Sequence, residues 1–95
     1  MTVEDVFVIR RRGTIVSGGI ESGTLSVGDE IRITRPSSSK KTVVMAIEML
    51  RQKKMVQLKQ AHIGDDVGVL LGDVSKQDVQ HGDLLVGSEP GSGRR

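Results

Sequence analysis

The sequence predicts a small all-β domain, a barrel or a sandwich, and three observations carry that prediction. Glycine recurs at short intervals, and the runs between glycines are rich in Val and Ile, the composition of short strands separated by turns. Apolar and polar residues alternate with a period of two, most clearly in Ile31-Arg32-Ile33-Thr34 and from Val43 to Leu50. The turn signals leave little room for a long helix.

Six strands follow in order. They are expected over Asp5 to Arg12, Thr14 to Ile20, Glu30 to Arg35, Thr42 to Leu50, Asp66 to Leu71 and Leu84 to Val86. In the fourth, alternation groups Val43, Met45, Ile47 and Met49 on the core face and turns Glu48 the other way. In the fifth, Val67, Val69 and Leu71 face the core, Leu70 faces away, and Gly68 leaves room for a close approach.

A Gly-Asp pair precedes three of these runs: Gly28-Asp29, Gly64-Asp65 and Gly82-Asp83. Glycine supplies a positive φ and aspartate accepts from nearby backbone N–H groups, so each pair reads as a turn that launches a strand, with a structural carboxylate. Ser75 to Val79 reads as one helical turn with Ser75 as N-cap and Asp78 near the positive end of the peptide dipoles. Pro36 to Ser39 reads as a loop.

The chain has 95 residues, enough for one modest core without metal or disulfide support. The domain is expected over residues 1–87, followed by a disordered Gly, Ser and Arg tail over 88–95. There is no cysteine, so thiol catalysis and cysteine metal sites are excluded, and no apolar run has membrane-spanning length. The chain is expected to be cytoplasmic, with no membrane partner. Phe7 is the one residue among Phe, Tyr and Trp, which argues against an aromatic stacking platform for single strands. A formal charge of +2 is too small to imply indiscriminate nucleic-acid binding, so the local clusters Arg10-Arg11-Arg12, Lys40-Lys41, Arg51 with Lys53-Lys54, and Arg94-Arg95 matter more.

Catalytic equipment is not assembled by this sequence. A G-x-x-x-x-G-K-[ST] loop is missing, so direct GTP binding is not expected, and no cofactor is implied. His62 and His81 each precede a Gly-Asp turn and read as surface histidines rather than metal ligands. The acidic pairs Glu4-Asp5, Asp29-Glu30 and Asp65-Asp66 are sequence neighbours, which in a strand point to opposite faces and do not make an acid/base pair.

Several segments together resemble the second domain of elongation factor Tu and related translation GTPases. They are Glu4 to Ile9, Arg12 to Gly18, Ile20 to Gly23, Val27 to Ile31, Lys41 to Val44 with Ile47 to Met49, and Gly64 to Leu71. Each is short and glycine-based, but they occur in the family's order and at compatible spacing from Val3 to about Val86. The resemblance implies a closed six-stranded Greek-key-like β-barrel of the translation-protein type, here as an isolated non-enzymatic domain.

In that family the barrel helps to hold the aminoacylated 3′ end of tRNA, with the terminal adenine in a shallow pocket. Carried over position by position, the resemblance makes Ile9, Ile15 and Leu70 the apolar walls and Glu48 the group beside the adenine, with Arg12 and Arg51 close by. Two departures are visible. Arg11-Arg12-Gly13 stands where the family usually has Gly-Arg-Gly, which puts a long cation, Arg11, at the pocket rim, either blocking the base or contacting phosphate; Gly19 stands where an arginine is common. The partners implied are an aminoacyl-tRNA acceptor end, bound weakly by a lone barrel with a Kd on the order of 10⁻⁴ M or weaker, or a protein. A protein partner would be a ribosomal protein, a translation factor or a separate GTPase subunit docking on the same apolar rim.

Overall fold

The computed structural model describes residues 1–87; the tail expected over 88–95 lies outside the described residues. Among those residues nine strands form: β1 (Asp5–Ile9), β2 (Gly13–Gly19), β3 (Thr24–Ser26), β4 (Glu30–Arg35), β5 (Ser38–Arg51), β6 (Lys54–Leu58), β7 (Gln60–His62), β8 (Asp66–Leu71) and β9 (Leu84–Gly87). Six of them, β1, β2, β4, β5, β8 and β9, are the six expected from sequence. Their antiparallel order is β1-β2-β8-β5-β4-β9, with β8 inserted between β2 and β5.

The ends of that order are joined by the residues ahead of β1. Thr2 bridges Leu84, the Val3 N–H donates to the Asp83 carbonyl at 2.8 Å, and the Leu85 N–H donates to the Met1 carbonyl at 2.8 Å. One continuous N-terminal segment therefore pairs first with β9 and then with β2, which closes the barrel and removes its open edges there. Inside lie Val3, Val16, Ile31, Val44, Ile47, Val69 and Val79, all essentially inaccessible. Each such side chain contributes about 1.5–3 kcal/mol relative to remaining exposed.

The three Gly-Asp turns share one construction. Gly28, Gly64 and Gly82 have φ of 97°, 94° and 93°, the left-handed region that glycine enters without strain. The aspartate that follows accepts from the backbone N–H three residues earlier: Ser26 to Asp29 at 2.8 Å, His62 to Asp65 at 2.9 Å and Gln80 to Asp83 at 2.9 Å. The short 3₁₀ turn Lys76–Asp78 repeats the device, since the Ser75 N–H donates to Asp78 at 2.9 Å and the Ser75 hydroxyl accepts from the Gln77 N–H. These carboxylates satisfy turn donors, as expected from the sequence.

Four expectations are corrected. The first strand stops at Ile9, because Arg10 to Arg12 form a turn closed by the Arg12 N–H on the Ile9 carbonyl at 2.9 Å. Ser38 and Ser39 belong to β5, paired with Arg35 and Thr34, so only Pro36 and Ser37 make the turn. The core face of β5 is not Val43, Met45, Ile47 and Met49 throughout. A bulge between Val44 and Ala46 shifts the register against β8, which buries Val44 together with Ile47 and leaves Met45 55% exposed. Finally, β3, β6 and β7 add to the six expected strands: β6 extends β5 as a hairpin, and β3 pairs with β7 in a separate two-stranded sheet.

Candidate functional site

Alternation along β2 turns Thr14, Val16 and Gly18 inward and Ile15 and Ser17 outward. The outward residues of neighbouring strands then line up in rows. In one, Phe7 faces Ile15, Ile15 faces Leu70 and Leu70 faces Ala46; in the next, Ser17 faces Gly68, Gly68 faces Glu48 and Glu48 faces Gln57. Gly68 has no side chain to fill its place in the second row. The Cγ2 methyl of Ile15 leans over it, 3.4 Å from where a Cβ would stand. A depression of about 570 Å³ results on the outer wall of the barrel.

Its lining brings together four of the residues singled out from sequence: Ile9, Arg12, Ile15 and Glu48. Leu70 stands beside them as the cross-strand partner of Ile15, half-buried, but does not line the depression. Arg51 lies at the far end of β5 on the strand face opposite Glu48, with its Nε 3.2 Å from the Met49 sulfur. Arg11 sits exposed on the β1–β2 turn with φ 70° and also lies outside the lining.

Alternation and pairing also bring in residues that the sequence reading did not select. Phe7, 48% exposed, is two residues before Ile9 and so shares its face, a signal that was legible. Met55 reaches the depression from β6, a strand whose turn residues gave no warning. Glu4 and Asp66 add two carboxylates to the lining.

Arg12 and Glu48 dominate the electrostatics. The Arg12 Nη2 lies 2.7 Å from Glu48 Oε2, a charge-assisted bond that reaches from the β1–β2 turn across the face of β8 to β5. Glu48 is the less accessible partner, with a side chain 13% exposed against 37% for Arg12. The hydrogen bond from Arg12 holds the Glu48 carboxyl below its ordinary value, against the opposing effect of partial burial, and its cross-strand partner Gln57 lowers it further. The same contact pushes the Arg12 guanidinium up.

The arrangement can seat a flat or apolar group against Phe7, Ile9, Ile15 and Met55 while Glu48 accepts from an N–H donor at its edge. Nothing in it resembles a nucleophile with a base. His62 and His81 are both exposed and engaged with Gln60 and the Glu4 carbonyl, and no group of three metal-ligating side chains occurs among the described residues. No helix of the described residues is long and apolar enough to cross a membrane. Compared with known protein families, residues 13–86 match the family described as elongation factor Tu domain 2.

Proposed function

Since the chain belongs to the elongation factor Tu domain 2 family, with the match spanning most of its length, we propose that it is a non-enzymatic translation-factor barrel that works in the cytoplasm. Its outer-wall depression takes the aminoacylated 3′ end of a tRNA. The observation that carries this reading is the convergence of Ile9, Ile15 and Glu48 around the gap left by Gly68. The apolar walls cover the faces of the terminal adenine, and the Glu48 carboxylate accepts from its amino group. Arg11 and Arg51, outside the lining, serve the phosphates of the acceptor strand, while Leu70 supports Ile15 from the adjoining strand.

A protein partner is the second reading, and the charge of the depression favours it. Among the described residues, Glu4, Glu48 and Asp66 face a single lining cation, Arg12, which is a poor balance for a polyanion and a suitable one for a basic, apolar segment of a ribosomal protein, another translation factor or a GTPase subunit.

An NMR titration of the labelled chain with an aminoacylated CCA-ended minihelix at low salt separates the two. Shifts at Ile9, Arg12, Ile15 and Glu48 that are absent with a hairpin lacking CCA support the tRNA reading. Equal, diffuse shifts at lysines and arginines with both RNAs, or none, overturn it in favour of the protein partner.

A further inference from the structure

Strand β1 has a neighbour on one side only. The residues ahead of it are taken up by β9 and the turn before β9, but from Asp5 to Ile9 its sole strand partner among the described residues is β2. Alternate N–H and C=O groups along the other side are therefore left without a ladder. The Glu4 carbonyl is engaged, accepting from His81 Nδ1 at 2.7 Å, so Val6 to Ile9 is the open stretch. The 3₁₀ turn approaches β1, yet Val8 remains 57% exposed. The usual protections of an open edge are missing here: no lysine, proline or bulge interrupts Asp5 to Ile9, and Phe7 and Ile9 are exposed together with Val8. Phe7 and Ile9 lie on the face of the depression and Val8 on the reverse, so an added strand meets apolar side chains on both of its faces.

The flanking charges identify the strand that fits. Glu4 and Asp5 precede the open stretch and Arg10 and Arg11 follow it, all exposed. A parallel copy of the same stretch would set like charges together, whereas an antiparallel copy sets the acidic end of each against the basic end of the other. A two-fold axis through Val8, perpendicular to the sheet, places Val8 against the partner's Val8, Phe7 against the partner's Ile9 and Asp5 across from the partner's Arg11, and it keeps Phe7 and Ile9 of both copies on one face.

We propose that β1 is a self-recognition edge: two copies of this chain pair β1 to β1, antiparallel, into a two-fold dimer whose sheet runs through both barrels. The inference stands on the edge and its charges, whatever the depression takes. Two five-residue strands bury less than the roughly 1,000 Å² of a stable interface, so the dimer is weak and forms toward millimolar concentration.

The test is NMR of the labelled full chain at low salt, raised from micromolar to millimolar concentration. The rotational correlation time is expected to climb toward about twice the monomer value, with concentration-dependent amide shifts centred on Val6 to Ile9. Val8→Lys, at an exposed position outside the depression, sets two ammonium groups against each other at the axis and should abolish the climb. Asp5→Arg and Arg11→Asp, each alone, turn both inter-copy ion pairs into repulsions and should weaken the dimer about tenfold, the scale of two exposed charge pairs reversed. Mixed in equal amounts, these two variants have both pairs attractive again and should recover the wild-type concentration dependence, which a variant that failed to fold could not do. A correlation time that does not change with concentration overturns the proposal and leaves the edge to a strand of a different protein. Shifts centred on another face, a dimer that persists in Val8→Lys, or a mixture no better than its separate components overturns it as well.

Discussion

Arg35 holds Asp83 at the seam of the barrel, its Nε 3.1 Å from each carboxylate oxygen. Asp83 is almost fully buried and is engaged three ways, since it also accepts from the Gln80 N–H with its side chain and from the Val3 N–H with its carbonyl. The pair thus ties β4, the turn before β9 and the closing N-terminal segment to one point.

Asp83→Ala removes both the turn acceptor and the counter-ion of a partly buried guanidinium. It is expected to lower stability by about 2–4 kcal/mol, a large share of what a small domain possesses. Urea denaturation followed by circular dichroism measures this, and a loss below about 1 kcal/mol would show that the seam does not depend on the pair.

Gly18 lies where β2 passes under the closing segment, and a Cβ there would overlap the Thr2 carbonyl oxygen. Gly18→Ala is therefore expected to cost about 1–3 kcal/mol and to accelerate amide exchange at Val3 and Leu85, whose N–H groups form the closure. Gly87→Ala, with open space around the added methyl, is the control and should change stability by less than about 0.5 kcal/mol.

Arg11 adopts φ 70° on the β1–β2 turn, a conformation that costs an L-residue roughly 1–2 kcal/mol and glycine almost nothing. Arg11→Gly regains that strain and loses part of it to the greater freedom of glycine in the unfolded chain. A net rise of about 0.5–1 kcal/mol is expected, visible as a Tm increase of a few degrees. A fall in Tm would mean that the Arg11 side chain makes a contribution larger than its backbone strain.

The Glu48 carboxyl is held below its ordinary value of 4.5 in the folded state. A carboxyl depressed by folding contributes stability that is complete above its unfolded pKa and is lost as pH falls through the folded one. The Arg12–Glu48 contribution is therefore constant above about pH 4.5 and disappears in the acid range beneath it. Carboxyl-carbon NMR of Glu48 should give a midpoint below the ordinary value in the wild type and a higher one in Arg12→Met; coincident midpoints would sink the assignment of the shift to Arg12.

Much of the architecture was legible because it rests on local chemistry. The six barrel strands follow from period-two patterning and from Gly-Asp turns whose φ and side-chain bonds are properties of those two residues. The same patterning freed Glu48 and Leu70 from the core, and resemblance in sequence grouped Ile9, Ile15 and Glu48 before any distance was known. The β5–β6 hairpin escaped because Gln52 and Lys53, at φ 50° and 68°, occupy a tight turn usually marked by Asn or Gly. Met55 was lost with it.

Tertiary structure alone decided the rest, and the reason is that each feature depends on partners distant in sequence. The bulge at Met45 exists only in the register of β5 against β8, so alternation along one strand could not place Val44 beside Ile47 in the core. Closure depends on Met1 to Val3 reaching β9. The bond between Arg12 and Glu48, 36 positions apart, arises because the barrel folds the β1–β2 turn toward β5. Local sequence determined the strands and turns and set Glu48 and Leu70 off the core; the closed barrel determined the bulge that exposes Met45 and which outward residues meet.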